Sequence, residues 1–188
     1  MIIELGQIAR IQTGLFAKPG SKGDIVYLQA KHFDENGVLN STLYPELKME
    51  NKIEKHLLKH GDVLFAAKGS KNFATWYEDN NKPAVASTSF FVIRILEEFQ
   101  SKILPAFLVW ILNNPNSQKF LKGKAIGTSI ASISKSVLEE VEIPIPDISM
   151  QELILGIIHL RKKEINLKQQ IESLRELQLQ NQILKAIK

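Results

Sequence analysis

Two histidines, His56 and His60, lie four residues apart in a charged segment, a spacing that would place both imidazoles on one face of a helix. Imidazole nitrogens are common ligands of zinc and other divalent metals. A zinc hydrolase built on such a pair also needs a glutamate directly after the first histidine, and residues 57–59 are Leu-Leu-Lys. Two surface histidines on a charged helix explain the pair better, so no metal site is predicted.

Other catalytic signatures are also missing from the sequence. Neither Gly69-Ser70-Lys71 nor Gly127-Thr128-Ser129 forms the Gly-x-Ser-x-Gly turn of a serine hydrolase. Gly123-Lys124 lacks the preceding glycine of a phosphate-binding loop. Asn113-Asn114-Pro115-Asn116 lacks the second proline and the aromatic residue with which amino-methyltransferases hold a flipped base, and a helix stop explains it. The chain is therefore expected to have no catalytic site of its own.

The composition excludes further classes of protein. The 188 residues are 44% hydrophobic and 23% charged, which predicts one folded domain with an additional element. The absence of cysteine excludes disulfides, thiolate metal sites and a cysteine nucleophile. No segment approaches the roughly 20 apolar residues of a membrane span, and the first residues do not resemble a signal peptide. A cytoplasmic protein with no membrane partner is expected.

The net charge of +4 is unevenly distributed along the chain. Residues 99–138 contain no acidic residue, and this segment predicts a positive surface suited to a polyanion such as DNA. Chance, with a buried helix inside the same segment, is the alternative. The lysines of the segment are Lys102, Lys119, Lys122, Lys124 and Lys135.

Hydrophobic alternation and turn residues predict an α+β domain with an irregular sheet over residues 1–149. Strands are expected at residues 5–12, 25–29, 62–67 and 84–95, with an edge strand at 141–146. Helices are expected at residues 49–60, ended by Gly61, at 105–112 and 117–122, and as a short turn after the capping pattern at Ser136.

Residues 150–188 contain no proline and only one glycine, which predicts a single long helix of roughly 55–60 Å. Apolar residues recur there at intervals of three and four, the pattern of a coiled-coil seam, and Glu164 interrupts them. The domain of residues 1–149 cannot cover such a helix, so pairing with another chain is expected; packing against its own domain is the alternative. The candidate dimerisation residues are Leu153, Ile157, Leu160, Leu167, Ile171 and Leu174.

The order of these segments resembles the specificity (S) subunit of type I restriction-modification systems. Each matching stretch is weak alone, but their order and spacing are specific and cover nearly the whole chain. The stretches are Leu-Gly-Gln-Ile-Ala-Arg-Ile-Gln-Thr-Gly at residues 5–14, Gly-Asp-Val-Leu-Phe at 61–65, Ala-Ser-Thr-Ser-Phe-Phe-Val-Ile at 86–93, Gly-Thr-Ser at 127–129 and Ile-Pro-Ile-Pro at 143–146, followed by the long helix.

The resemblance implies a division of labour among subunits. S subunits typically hold two target-recognition domains and two antiparallel helices, whereas this sequence holds one of each and resembles a half-subunit. Two copies would pair through their helices and read two identical half-sites of double-stranded DNA in inverted order. The modification subunit would carry S-adenosylmethionine and methylate adenine, and the restriction subunit would carry the nuclease and the motor, with ATP and magnesium also on partner subunits. This chain would hold no cofactor.

Loops rich in lysine, hydroxyl and amide side chains are the candidate DNA contacts, because these groups donate to phosphates and base edges. The strongest candidate is the loop of residues 68–72, where Gly69 allows a close backbone approach and Asn72 can read adenine. Solvated turns are the alternative. The full candidate set is Gln12, Thr13, Lys18, Lys22, Lys31, Lys68, Ser70, Lys71, Asn72, Lys122, Lys124, Thr128 and Ser129.

A second function also fits the sequence. A protein-binding adaptor would present the same long helix to its partners but would have no affinity for DNA. Salt-dependent binding of duplex DNA separates the two functions, since an adaptor has no phosphate contacts to lose.

Overall fold

A computed structural model of the chain describes residues 1–20, 22–34, 37–40, 42–68, 72–78, 83–125 and 132–187. The chain divides into two compact units, Met1–Ile148 and Ser149–Lys188. The first unit is an α+β domain with three small sheets, and the second is helical, as the sequence predicted.

The first unit contains nine described strands and six short helices. The strands are β1 (Ile2–Glu4), β2 (Ala9–Thr13), β3 (Ile25–Leu28), β4 (Pro45–Leu47), β5 (Val63–Ala66), β6 (Ala74–Trp76), β7 (Ala84–Ala86), β8 (Phe90–Ile95) and β9 (Glu142–Pro144). The helices are α1 (Leu5–Ile8), α2 (Asn51–Glu54), α3 (Glu97–Gln100), α4 (Pro105–Asn113), α5 (Pro115–Gly123) and α6 (Lys135–Glu139), with a 3-10 turn at Ala30–His32.

A four-stranded antiparallel sheet, in the order β2-β8-β5-β6, forms the centre of this unit. The second sheet has the order β4-β3-β7, with β3 and β7 parallel, and the third pairs β1 with β9. One apolar core joins residues of the first two sheets. Three aromatic rings, Phe33, Phe73 and Phe90, meet within it at centroid distances of 5.7–6.0 Å.

The strand predicted at residues 5–12 is wrong in its first half. Leu5–Ile8 forms the helix α1, and the strand β2 begins only at Ala9. Leu5 and Ile8 are both fully buried, and their three-residue spacing is that of one face of a helix. The same residues also show a weak alternation of apolar and polar side chains, which led to the prediction of a strand.

The single strand predicted at residues 84–95 is two strands in different sheets. A turn at Ser87–Ser89 separates β7 from β8, and the two serine hydroxyls lie 2.6 Å apart across it. Short hydroxyl side chains that bond locally favour turns over strands, and here this preference outweighs the β-branched and aromatic residues on both sides.

The helix predicted at residues 49–60 is wrong in its second half, because α2 spans only Asn51–Glu54. Leu57 instead forms an antiparallel bridge with Val85, and the Leu58 amide donates to the Ala84 carbonyl at 2.9 Å. Gly61, with φ of +85°, therefore turns the chain into β5 and does not end a helix.

The capping residue of the short helix α6 also differs from the predicted one. The sequence pattern indicated a cap at Ser136, but the helix begins at Lys135 and its cap is Ser134. The Oγ atom of Ser134 accepts a hydrogen bond from the Val137 amide at 3.2 Å. Ser136 therefore lies inside the first turn, where its hydroxyl is 2.9 Å from that of Ser134.

The second unit is the predicted long helix, α7, which runs from Ile148 to Ala186. Its 39 residues span about 58 Å. The six candidate dimerisation residues are all exposed, with exposed fractions between 49% and 66%. Among the described residues, no helix has both the length and the apolar character needed to cross a membrane.

Candidate nucleic-acid interface

Three strands of the central sheet bring polar residues to one end of it. The last residue of β2, Thr13, is exposed and pairs with Phe91 near the start of β8. At the same end, β5 continues into Ala67, whose amide donates to the Ser89 carbonyl at 3.0 Å. We call this group the polar end of the central sheet; its described members are Thr13, Lys68, Asn72, Ser87, Thr88, Ser89 and Ser132.

A bridge joins two of the predicted DNA-binding segments at this end. Lys68 pairs antiparallel with Ser132, and the Ile133 amide donates to the Ala67 carbonyl at 2.9 Å. The end of the segment that contains no acidic residue therefore lies beside the loop that follows β5. Four predicted contacts lie outside the described residues: Ser70, Lys71, Thr128 and Ser129.

Asn72 has a structural contact at the polar end. Its Nδ2 donates to the Ala66 carbonyl at 2.8 Å, and the Ala66 amide donates to the Phe73 carbonyl at 2.8 Å. The side chain thus helps to close the connection from β5 to β6, and one of its two amide hydrogens is used. Gln12 is half-buried within β2, opposite Val92.

Lys18 and Lys22 line a cavity of about 340 Å³. Two lysines that the sequence did not single out, Lys48 and Lys52, line the same cavity. We call it the lysine basin; its full lining is Leu15, Phe16, Ala17, Lys18, Gly20, Lys22, Glu46, Leu47, Lys48, Glu50, Lys52 and Ile53.

Lys31 lies exposed on the 3-10 turn, next to His32. The Nδ1 atom of His32 accepts a hydrogen bond from the Gln29 amide at 3.2 Å, which requires an unprotonated Nδ1. Partial burial, and secondarily the charge of Lys31, lower the pKa of His32 from its ordinary value of 6.5. The turn that carries Lys31 is therefore built on a neutral imidazole.

Lys122 and Lys124 lie at the end of α5 and are exposed. Lys124 forms an ion pair with Glu140, and its ammonium lies 4.7 Å from the centre of the Phe120 ring. Lys135 pairs with Glu139 at 3.4 Å. Acids just beyond the acid-free segment thus approach two of its five lysines, so the segment is not surrounded by positive charge alone.

The asparagines after α4 have backbone partners that explain them. Asn113 pairs with the backbone of Ala74 in both directions, at 2.7 Å and 2.9 Å, and covers the edge of β6. Asn114 caps α5, because its Oδ1 accepts from the Asn116 amide at 3.0 Å. The interpretation of this segment as a helix stop is confirmed.

The two histidines that opened the search for chemistry do not share a helix, because α2 ends before both of them. Among the residues that the structure describes, no three His, Cys, Asp or Glu side chains are grouped closely enough to hold a metal ion. The described surface offers lysines, hydroxyls and backbone amides, which are groups that bind polyanions.

Sequence reasoning missed several residues of these two sites. Ser87 and Ser89 were absorbed into one long predicted strand, although two serines flanking a threonine are a recognisable turn signal. Lys48 and Lys52 lie in or beside a segment that was predicted to be helical, and their approach to Lys18 depends on the pairing of β3 with β4.

The chain is similar to known proteins both in sequence and in fold. The family described as "Type I restriction modification DNA specificity domain" matches residues 1–176. No curated protein matches the chain significantly.

Solved structures of similar fold are known. The S subunit of a type I restriction-modification system from M. genitalium is 17% identical with a TM-score of 0.59, and the match covers 87% of this chain and 39% of that one. A chain from a structure on complex assembly and conformational transition of a type I R-M system is 14% identical, with a TM-score of 0.63 and coverage of 96% and 43%. The HsdS subunit from Thermoanaerobacter tengcongensis is 15% identical, with a TM-score of 0.55 and coverage of 88% and 38%. The chain thus spans about two fifths of each.

Proposed function

From the premise that the chain belongs to the type I restriction modification DNA specificity domain family, we propose that it reads one half-site of double-stranded DNA. In this proposal the chain carries no catalytic group and no cofactor. It directs a partner methyltransferase, which binds S-adenosylmethionine, to the site. A restriction subunit, which binds ATP and magnesium, is directed by the same recognised DNA site.

The observation that carries the proposal is the Lys68–Ser132 bridge. It joins two segments that are distant in the sequence, and it brings a lysine and several hydroxyls to the end of a sheet. Base reading needs donors held at fixed positions, because a bidentate contact tolerates little displacement. Lys68 is exposed and its neighbours Ala66 and Ala67 are buried, so its ammonium is presented from a fixed backbone.

The seam of α7 supports the second part of the proposal, a homodimer with antiparallel helices. The apolar positions Leu153, Ile157, Leu160, Leu167, Ile171 and Leu174 keep intervals of three and four, apart from the interruption at Glu164, and are all exposed in the single chain. An exposed apolar row of this length favours a partner, since burying it removes apolar area from water. A two-fold axis across the helices would then present two identical recognition units to an inverted repeat.

Duplex binding by the purified chain tests the DNA part. We expect selection from a randomised duplex library to enrich one sequence pattern, and we expect the affinity to fall steeply as salt is added. Lys68→Gln should weaken binding, whereas Lys55→Gln, at an exposed lysine after α2, should not. Absence of any duplex binding at low salt would contradict the DNA-binding function and favour the adaptor, whose partners would bind α7.

Light scattering tests the pairing. We expect a mass of twice 21.3 kDa for the full chain and a monomer for the double substitution Leu160→Glu, Leu167→Glu. Gln169→Glu adds a charge on the opposite face of α7 and should leave the dimer intact. A full-length monomer at every concentration would overturn the symmetric half-site proposal.

A further inference from the structure

Phe16 is a large apolar side chain with an exposed fraction of 70%, and it belongs to the lining of the lysine basin. It follows Thr13 by three residues and precedes Lys18 by two. A single exposed apolar side chain is ordinary on a protein surface. Phe16 differs because the backbone on both sides of it is fixed and four lysines line the same cavity.

The backbone on both sides of Phe16 is fixed. The Tyr27 hydroxyl donates to the Leu15 carbonyl at 2.9 Å and accepts from the Ala17 amide at 3.3 Å. The Leu15 amide donates in turn to the Ala86 carbonyl at 2.8 Å. Leu15 and Tyr27 are buried, so this clasp holds the backbone on either side of Phe16 while its ring remains outside.

The approach of Gly14 to the turn after β7 fixes the segment further. A Cβ atom at Gly14 would lie 2.1 Å from the Ser87 carbonyl oxygen, so only glycine fits here. Leu15 also bridges Ser87 in parallel orientation. The ring of Phe16 is therefore presented from the same framework that holds the hydroxyls of the polar end.

The lysine basin, which Phe16 also lines, carries an excess of positive charge. Two backbone hydrogen bonds attach its loop to β4, from the Gly20 amide to the Glu46 carbonyl and from the Asp24 amide to the Leu47 carbonyl, both at 2.8 Å. They bring lysines from two distant segments around one cavity. Four lysines outnumber the two glutamates of the lining, and they are Lys18, Lys22, Lys48 and Lys52.

We propose that Phe16 makes an apolar contact with a base step of double-stranded DNA while the four lysines of the lysine basin bind the flanking phosphates. Phenylalanine contacts thymine methyl groups or enters between base steps in DNA complexes, and lysines neutralise the backbone on either side. This inference rests on the proposed function and adds to it a specificity-determining residue, with Tyr27 as its positioning residue.

The test compares two probes: the duplex pool selected by the wild-type chain, and a random-sequence duplex of the same length. For Phe16→Ala we expect binding to the selected pool to weaken about tenfold, with unchanged binding to the random duplex and an unchanged salt dependence. Tyr27→Phe should reduce the same discrimination by a smaller factor. Tyr44→Ala is the matched control, because Tyr44 is also 70% exposed but lies outside the basin.

The lysines are tested on the same probes. For the double substitution Lys48→Gln, Lys52→Gln we expect weaker binding to both probes, with a slope of log affinity against log salt that is smaller by about 1–2. Equal discrimination by wild type and Phe16→Ala, with both folded by circular dichroism, overturns the role of Phe16 and leaves the proposed function standing. A wild-type chain that does not distinguish the two probes overturns both.

Discussion

Arg94 holds the buried carboxylate of Asp62 through two nitrogens, with Nε 2.7 Å from Oδ1 and Nη2 2.6 Å from Oδ2. Asp62 is 2% exposed, and its Oδ2 also accepts from the Lys59 amide at 2.7 Å. Across the sheet Arg94 lies directly opposite Arg10, a like-charge pair that would destabilise the pairing of β2 with β8. The Asp62 carboxylate offsets that repulsion and fixes the turn before β5.

We therefore expect Arg94→Met to destabilise the first unit by about 2–3 kcal/mol, since it leaves the buried Asp62 carboxylate without its charged partner. Asp62→Asn should cost less, because the Arg94 guanidinium that it leaves unpaired is partly screened by solvent. Urea unfolding measures the loss. Arg94→Lys keeps the charge but not the two-nitrogen geometry, so it should recover only part of the stability. Losses below about 0.5 kcal/mol would mean that the pair contributes no more than an ordinary surface ion pair.

The hydrogen bond to Asp62 also raises the pKa of Arg94 above its ordinary value. A raised pKa contributes stability that is complete below the unfolded value and is lost only above it. The titration of Arg94 should therefore contribute no pH dependence to stability in the neutral range.

We expect the titration of His32 to make the folding stability depend on pH. The pKa of His32 is lowered on folding, so the unfolded chain binds the proton more readily. The contribution of neutral His32 to folding stability is therefore complete above pH 6.5, and it is lost as pH falls through the lowered pKa. We expect wild type to lose more stability than His32→Asn between about pH 7.5 and about pH 5.5, because asparagine can accept from Gln29 without titrating. Urea unfolding at the two pH values measures this difference, and equal losses would contradict it.

We expect one added methyl group at Gly14 to lower the folding stability strongly. For Gly14→Ala we expect a loss of about 3 kcal/mol or more, because the added carbon would overlap the backbone oxygens of Ala86 and Ser87. Gly123→Ala is the control: a Cβ there meets nothing within 4 Å, and alanine should be neutral or stabilise α5 by up to about 1 kcal/mol. Thermal unfolding of both variants measures the contrast, and similar melting temperatures would show that the backbone yields at Gly14.

We expect an apolar substitution at Glu164 to increase self-association of the chain. It interrupts the apolar seam of α7, where it lies 2.6 Å from both Lys168 and Arg161, and these hydrogen bonds lower its pKa. If the helices pair through the seam, Glu164→Leu should tighten the dimer about tenfold, because an apolar side chain replaces a charge in the interface. Sedimentation equilibrium measures the dissociation constant.

The matched control for Glu164 is Glu172→Leu, which makes the same replacement off the seam, where Glu172 is exposed next to Arg175. The dimer should be unchanged by it. If both variants tighten association equally, added apolar surface is responsible and not the seam.

The sequence predicts best the elements whose apolar residues are contiguous. All four residues of β5 are buried, and α4 begins with a proline at its first position, so both signals are local. The strands β4 and β6 have three residues each, too few for a periodicity to be recognised. Leu57 and Leu58 leave the predicted helix because they pair with β7, and such a tertiary contact overrides local propensity.

For the candidate site, residue types were easier to predict than neighbours. Lys68 and Thr13 were proposed from their chemistry, but their position at one end of a sheet depends on strand order. The approach of Ser132 to Lys68 and of Lys48 to Lys18 likewise follows from pairing between distant segments. Phe16 was not proposed, since its exposure is visible only once Tyr27 is seen to hold the backbone on both sides of it.

The pairing of β1 with β9 has a consequence for how such a unit is exchanged. Ile2 lies opposite Pro144, and the Ile145 amide donates to the Met1 carbonyl at 2.8 Å, so the first and last strands of the first unit are neighbours. A unit whose two ends meet can be replaced as a cassette with two adjacent junctions, leaving its interior intact. One replacement at these two junctions would exchange all the loops of the first unit as a set, and under the proposed function the DNA preference would change with them.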